Sequence, residues 1–168
     1  MGRLLRAPCE KIRSREELAA LWRQAPPARL VLANGLFDLI HVGHARYLED
    51  ARRAGSTLVV ALNDDASAAI HKGPTRPIVP LHERQELVAA FRCVDFVTAF
   101  SETTVAQTLR ELRPRFHAKG TDYRPESLPA DERALHAKLG IEVVIVGDPK
   151  EHATTDIIRR LLREEPGR

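Results

Sequence analysis

Gly35-Leu36-Phe37-Asp38-Leu39-Ile40-His41-Val42-Gly43-His44 follows the apolar run Arg29-Leu30-Val31-Leu32-Ala33-Asn34 and leads into Ala45-Arg46-Tyr47-Leu48-Glu49-Asp50-Ala51. This order reads as a strand, a tight glycine-bearing turn and a helix with two histidines at its mouth. A helix N-terminus presents unpaired N–H groups and partial positive charge, so it favours an anion such as phosphate. His41 and His44 stand three positions apart, so one helical turn brings both toward the same anion. Gly43 between them removes a side chain from that approach. Taken singly, a His-x-x-His pair also suits a solvated cap or a metal, and the glycine suits an ordinary turn. The whole pattern in its strand–turn–helix setting is far more specific than its parts.

The same alternation continues outward. Candidate strands lie at 29–34, 57–63, 94–99, 115–119 and 141–146, with helices near 43–54, 64–71, 81–92, 102–112, 131–139 and 154–164. Runs such as Leu58-Val59-Val60-Ala61-Leu62 and Val143-Val144-Ile145-Val146 are continuously apolar, as strands become when helices cover both faces. The spacing predicts an α/β fold: a doubly wound, Rossmann-like sheet of five parallel strands with helices on both faces. Ligands of such sheets bind beyond the carboxyl ends of the strands, which is where residues 34–44 fall. Upstream, Ser14-Arg15-Glu16-Glu17 reads as a capping box for a short helix stopped at Ala25-Pro26-Pro27. The division expected is an N-terminal helical extension over 1–28 and one domain over 29–168.

With 168 residues, 43% hydrophobic and 29% charged, the chain reads as a globular protein with one sizeable core. A net charge of +3 suits a polyanionic small molecule. Aromatics make up only 5% and no basic run interleaves with them, which argues against a nucleic-acid partner. No apolar stretch approaches the ~20 residues that span a bilayer, so no membrane partner is expected. Cys9 and Cys93 form no C-x-x-C motif and read as free thiols of a reducing compartment. The start of the chain has no signal-peptide core, and a cytoplasmic location is expected.

The G-x-F-D-x-x-H-x-G-H string at 35–44 resembles the signature of the cytidylyltransferase-like nucleotidyltransferases. The resemblance extends along nearly the whole chain. It implies His41, His44 and Lys72 as catalytic residues, with no covalent intermediate. It implies nucleotide contacts from Gly35, Phe37, Gly43, His44, Arg84, Lys119, Gly120, Thr154 and Thr155. Asn34, Asp38, Lys72, Arg76 and Asp122 are implied at the acceptor. Lys72 and Arg76 sit on the Gly/Pro-rich loop His71-Lys72-Gly73-Pro74-Thr75-Arg76-Pro77, where a lysine and a forked guanidinium suit a triphosphate. Without the resemblance, that loop reads first as a solvated connector. Glu83-Arg84 resembles a Glu-Arg pair of the family, and otherwise reads as a surface ion pair. Arg92-Cys93-Val94-Asp95 resembles its Arg-Tyr-Val-Asp entry to a strand and is read as structural.

Lys119-Gly120-Thr121-Asp122-Tyr123 and His152-Ala153-Thr154-Thr155-Asp156 resemble the family's Lys-Gly-x-Asp-Tyr and Ser-Thr-Thr segments, departing at Thr121, where the family usually shows glycine, and at Ala153, where it shows serine. Among subfamilies the nearest resemblance is to the D-glycero-β-D-manno-heptose 1-phosphate adenylyltransferases. That implies ATP and a sugar phosphate as substrates, Mg²⁺ carried largely by phosphates and waters with no protein metal site, and a stand-alone transferase able to form a homodimer. A glycerol 3-phosphate cytidylyltransferase is the alternative, and a nucleotide-binding regulatory module without turnover is the second.

Overall fold

Side chains of β1 (Leu30–Gly35) alternate between two apolar layers. Leu30 and Leu32 enter one layer, while Val31 and Ala33 enter the other. In the computed structural model, which describes residues 7–124 and 127–148, the remaining strands are β2 (Thr57–Asn63), β3 (Phe96–Phe100), β4 (Phe116–Lys119) and β5 (Glu142–Ile145). All pair in parallel in the order β3-β2-β1-β4-β5. The chain winds outward from β1 to β3, then returns to place β4 on the other side of β1. The switch point therefore lies between β1 and β4, and it opens at their carboxyl ends. The fold expected from the strand–helix alternation is the one observed.

One layer holds α3 (Val42–Ala54) and α5 (Leu81–Ala90), with Leu48, Ala51, Val88 and Ala89 packed on Val31, Ala33, Val60 and Ala118. The opposite layer holds α2 (Arg15–Gln24), α6 (Ala106–Leu112) and α7 (Ala130–Leu139), with Leu18, Leu109 and Leu135 on Leu32 and Val59. A further helix, α4 (Asp65–Lys72), leaves the end of β2 with Asp64 as its cap, accepting from Ser67 N at 2.7 Å. The capping box of α2 forms as read: Glu17 N donates to Ser14 Oγ at 3.2 Å, and Ser14 N to Glu17 Oε2 at 2.7 Å.

The leading residues share the core of the sheet. Leu18 is fully buried, Trp22 meets Phe96 edge-on at 6.4 Å, and Ile12 bridges to Val97 beside β3. Residues Pro8–Lys11 form a short helix, α1, that the sequence pattern does not signal. Its Lys11 ammonium is buried and donates to Ala89 O (2.7 Å) and Phe91 O (2.9 Å) at the carbonyl end of α5. Asp95 is structural, as its segment predicted: it accepts from Leu58 N at 2.9 Å and pairs with Arg52 at 3.0 Å.

The helix expected from 102 begins at Ala106. Residues just before it are drawn into loop contacts with α7, Thr104 Oγ1 donating to Asp131 (2.5 Å) and Val105 N to Glu132 Oε1 (3.2 Å). The helix expected near 154–164 lies outside the described residues. Among the described residues no helix is long and apolar enough to cross a membrane.

The α3–β2 corner depends on Gly55 for space alone, because its φ of −144° is ordinary extended backbone. A Cβ there would stand 2.4 Å from Arg29 O and 2.5 Å from Val31 Cγ2. Gly55→Ala is expected to destabilise the protein by ~2 kcal/mol, the usual cost of forcing atoms into a packed site. Chemical denaturation of the two proteins measures it.

Candidate active site

The chain leaves β1 through Phe37, whose φ of 50° turns it sharply toward α3. The buried Phe37 ring lies against Gly35, where a Cβ would come within 3.1 Å of it, and packs on His44 at 5.0 Å. His41 caps α3, and His44 occupies the third helical position. His44 N donates to His41 O at 2.9 Å, and His41 N makes a long bond to His44 Nδ1 at 3.4 Å. As an acceptor, Nδ1 of neutral His44 leaves the ring proton on Nε2. The two imidazoles stack at 3.9 Å, and Gly43 sits between them at the second helical position. Both histidines are thus fixed at the positive end of α3.

Asp38, Arg76 and Arg84 have other work. Asp38 is 2% exposed. Its carboxylate accepts from Arg76 Nε at 2.6 Å, Ile78 N at 2.9 Å and Val79 N at 2.9 Å. Arg84 is fully buried and donates to Val79 O (2.8 Å), Leu36 O (2.7 Å), Asn63 O (3.0 Å) and Asp65 (2.6 Å). Together Asp38, Arg76 and Arg84 form a clamp on the loops around the turn after β1. Asp38 and Arg84 are buried among protein partners, while the partly exposed Arg76 meets Asp38 through Nε and Nη2.

A cleft of about 470 Å³ opens at the carboxyl ends of the strands. Asn34, Gly35, Asn63, Lys72 and Glu132 are among its lining residues, and His71 and Thr103 close one side through a 2.9 Å hydrogen bond. Lys72, exposed at the end of α4, overhangs this cleft. A larger groove of about 620 Å³ lies at the other end of the sheet, beside Leu30 and Arg115. Doubly wound sheets bind ligands at the carboxyl ends, so the smaller cleft is the candidate site.

Behind Asn34 and Glu132 of the cleft lies a polar cluster. Asn34 Oδ1 lies 2.8 Å from His117 Nε2 and 3.2 Å from Lys119 Nζ, and His117 Nδ1 lies 2.9 Å from His136 Nε2. Lys119 also pairs with the buried Glu132 at 3.5 Å. Burial lowers the Lys119 pKa, against the opposing pull of Glu132. Burial first, then the Lys119 charge, push both His117 and His136 below the usual histidine range, His117 well below. The motifs did not disclose Glu132, which lines the cleft, or His117 and His136, which lie buried behind Asn34. The one available signal was a histidine between Phe116 and Ala118, two residues before Lys119.

Gly120 places Asp122 at the rim: a Cβ on Gly120 would come within 2.9 Å of Asp122 Oδ1. Thr121, where the family pattern has glycine, donates to Asp148 O at 2.9 Å and ties the rim to the segment after β5. Tyr47 spans from α3 to Ala118 O at 2.9 Å. Burial, then the Asp122 charge, raise its pKa, so the phenol stays a neutral donor. Thr154 and Thr155 lie outside the described residues.

Two outcomes follow from this geometry. Asp38→Ala strands Arg76 and two backbone N–H groups and is expected to cost ~3 kcal/mol, as when one partner leaves a buried pair; denaturant melts measure it. Folded His117 and His136 resist protonation, while the unfolded chain takes up protons at both near pH 6.5. Stability present above pH 6.5 is therefore lost as pH falls below it, by at most about 1.4 kcal/mol per pH unit for each ring. Thermal melts between pH 7.5 and 5 are expected to show that fall, with a shallower slope in His117→Gln.

Residues 32–160 match the Cytidylyltransferase-like family. Among curated relatives, the Bifunctional protein HldE of Halorhodospira halophila is 44% identical over 86% of this chain, and that of Pelobacter propionicus 41% over 90%. The chain spans 30% and 31% of those relatives' own lengths. Among solved structures, the lipopolysaccharide core biosynthesis protein of Thermoplasma volcanium superposes with a TM-score of 0.60 at 27% identity, over 73% of this chain and 98% of that one. Pantothenate synthetase of Thermus thermophilus, 19% identical with a TM-score of 0.58 over 84% of this chain and 63% of its own, shares the fold. With its family match running from β1 past β5, and the His41-Val42-Gly43-His44 turn in the expected place, the chain belongs to the cytidylyltransferase-like family.

Proposed function

We propose that this chain transfers AMP from ATP to D-glycero-β-D-manno-heptose 1-phosphate, releasing pyrophosphate and forming ADP-heptose. The observation that carries the reading is the stacked His41–His44 pair at the positive end of α3, after the strand whose Asn34 and Gly35 line the cleft with Lys72. Likeness to the HldE proteins and to a lipopolysaccharide core biosynthesis protein supports the choice of acceptor. The nucleotide enters as its Mg²⁺ complex. The setting is the cytoplasm, where ATP is abundant, and a homodimer is the assembly we expect.

In the reaction, an oxygen of the acceptor phosphate attacks the α-phosphorus while the α–β anhydride bond breaks. The new bond joins the two phosphates, and pyrophosphate carries away the leaving electron pair. The acceptor is already an anion, so it requires no strong general base. What remains for the protein is alignment and neutralisation of charge on the oxygens around the α-phosphorus and on the leaving group. His44, with its proton on Nε2, and the start of α3 supply donors on one side, with His41 stacked against it. Lys72, which lines the cleft at the end of α4, meets the outer phosphates.

His41→Ala and His44→Ala are each expected to lower kcat on the order of 10²-fold with the fold intact, as for loss of a transition-state donor. Lys72→Ala is expected to raise the KM for ATP about tenfold, the scale of one charged hydrogen bond. Pyrophosphate release, with ATP and CTP each crossed against heptose 1-phosphate and glycerol 3-phosphate, measures all three and tests the reading. Turnover confined to ATP with heptose 1-phosphate supports it. Turnover confined to CTP overturns it in favour of a cytidylyltransferase.

A further inference from the structure

Asn34 Oδ1 faces both His117 Nε2, at 2.8 Å, and Lys119 Nζ, at 3.2 Å. An ammonium only donates, so the atom turned toward it is the amide oxygen rather than the nitrogen. The same oxygen then accepts from His117, which places the His117 proton on Nε2. His117 is wholly buried, and a second ring proton would leave a charge there. Its Nδ1 is therefore a bare acceptor, and His136 Nε2, 2.9 Å away, carries the proton between them. Donation runs in one direction, from His136 to His117 to Asn34.

The consequence appears at the other end of the amide. Asn34 lines the cleft. With its oxygen held toward β4, its Nδ2 is turned away from β4, and among the described residues no acceptor meets it. An amide free to rotate would present oxygen as readily as nitrogen, and an oxygen would repel a phosphate or compete for a hydroxyl proton.

We propose that His117 and His136 are positioning residues that lock Asn34 Nδ2 as a two-proton donor to an oxygen of the phosphorylated acceptor. The proposal rests on the transferase reading above and adds residues outside its motifs. Lys119 supplies the second anchor of the oxygen, and Glu132 balances its charge. The lock costs nothing at the moment of binding, because the donor is oriented before the acceptor arrives.

The test is a double-mutant cycle in the pyrophosphate-release assay, with melts confirming folded protein. His117→Leu is expected to raise the acceptor KM roughly tenfold, the weight of one buried hydrogen bond, with kcat and the ATP KM held within about twofold. His117→Gln, whose amide N–H replaces the lost donor, is expected to restore most of the effect. In an Asn34→Ala background His117→Leu is expected to change nothing further, because it acts through the missing amide. Additive effects, a rise confined to the ATP KM, or failure of Gln to rescue would each overturn the proposal. If His117→Leu does not fold, His136→Leu, at the outer end of the chain of bonds, takes its place in the same cycle. Long-range ¹H–¹⁵N spectra of histidine-labelled protein read the tautomers without turnover. The Nε2–H form of His117 is expected; an Nδ1–H or doubly protonated ring overturns the lock. A wild-type protein silent with every acceptor overturns the transferase reading, while these spectra still judge the lock.

Discussion

Two buried charges hold the loops of this site in register. Asp38 binds the backbone of Ile78 and Val79 to the turn after β1, and Arg84 draws Leu36, Asn63, Asp65 and Val79 to one guanidinium. The loops after β1 and β2 and the segment leading into α5 therefore move as one body. Buried ions are costly unless every donor and acceptor is met, and here the backbone meets them. This arrangement fixes the entry to α3, and with it the placement of His41 and His44.

The same clamp shows where sequence reading reaches its limit. Alternating apolar runs announced the sheet, because strands covered on both faces have no polar period to hide. The turn at 35–44 announced the switch-point site, because glycine, histidine and helix start each serve the same anion. Asp38, Arg76 and Arg84 were visible as charges within motifs. Motif position says that a charge belongs near the site, but not whether it faces ligand or backbone. Burial decides that, and burial is a property of the assembled loops. The start of α6 was misplaced for a related reason: Thr104 and Val105 are taken up by contacts to Asp131 and Glu132, distant in sequence.

His117 and His136 were hidden more completely. One sits mid-strand, the other in a helix of mixed polarity, and neither belongs to a spacing that suggests chemistry. They become meaningful only because β4 lies beside β1, which brings His117 to Asn34, and because α7 crosses the same face. Parallel neighbours from distant parts of the chain are what a doubly wound sheet creates. Its switch point is therefore where local sequence is least informative and geometry most so.

The cleft combines two kinds of polar control. At the start of α3, in the proposed transfer, backbone and imidazole donors serve the oxygens on which charge changes. Behind the cleft, Lys119 sits between Asn34 and the buried carboxylate of Glu132, so its charge is partly balanced before any anion enters. A fully uncompensated lysine there would favour any phosphate, including the pyrophosphate that must leave. Balanced by Glu132, the cleft relies more on directional donors, and Asn34 supplies these only while its orientation is fixed. Discrimination between a correct and an incorrect acceptor grows when a buried polar group is left unmet by the wrong one. The histidine pair beneath Asn34 converts a rotatable amide into such a group.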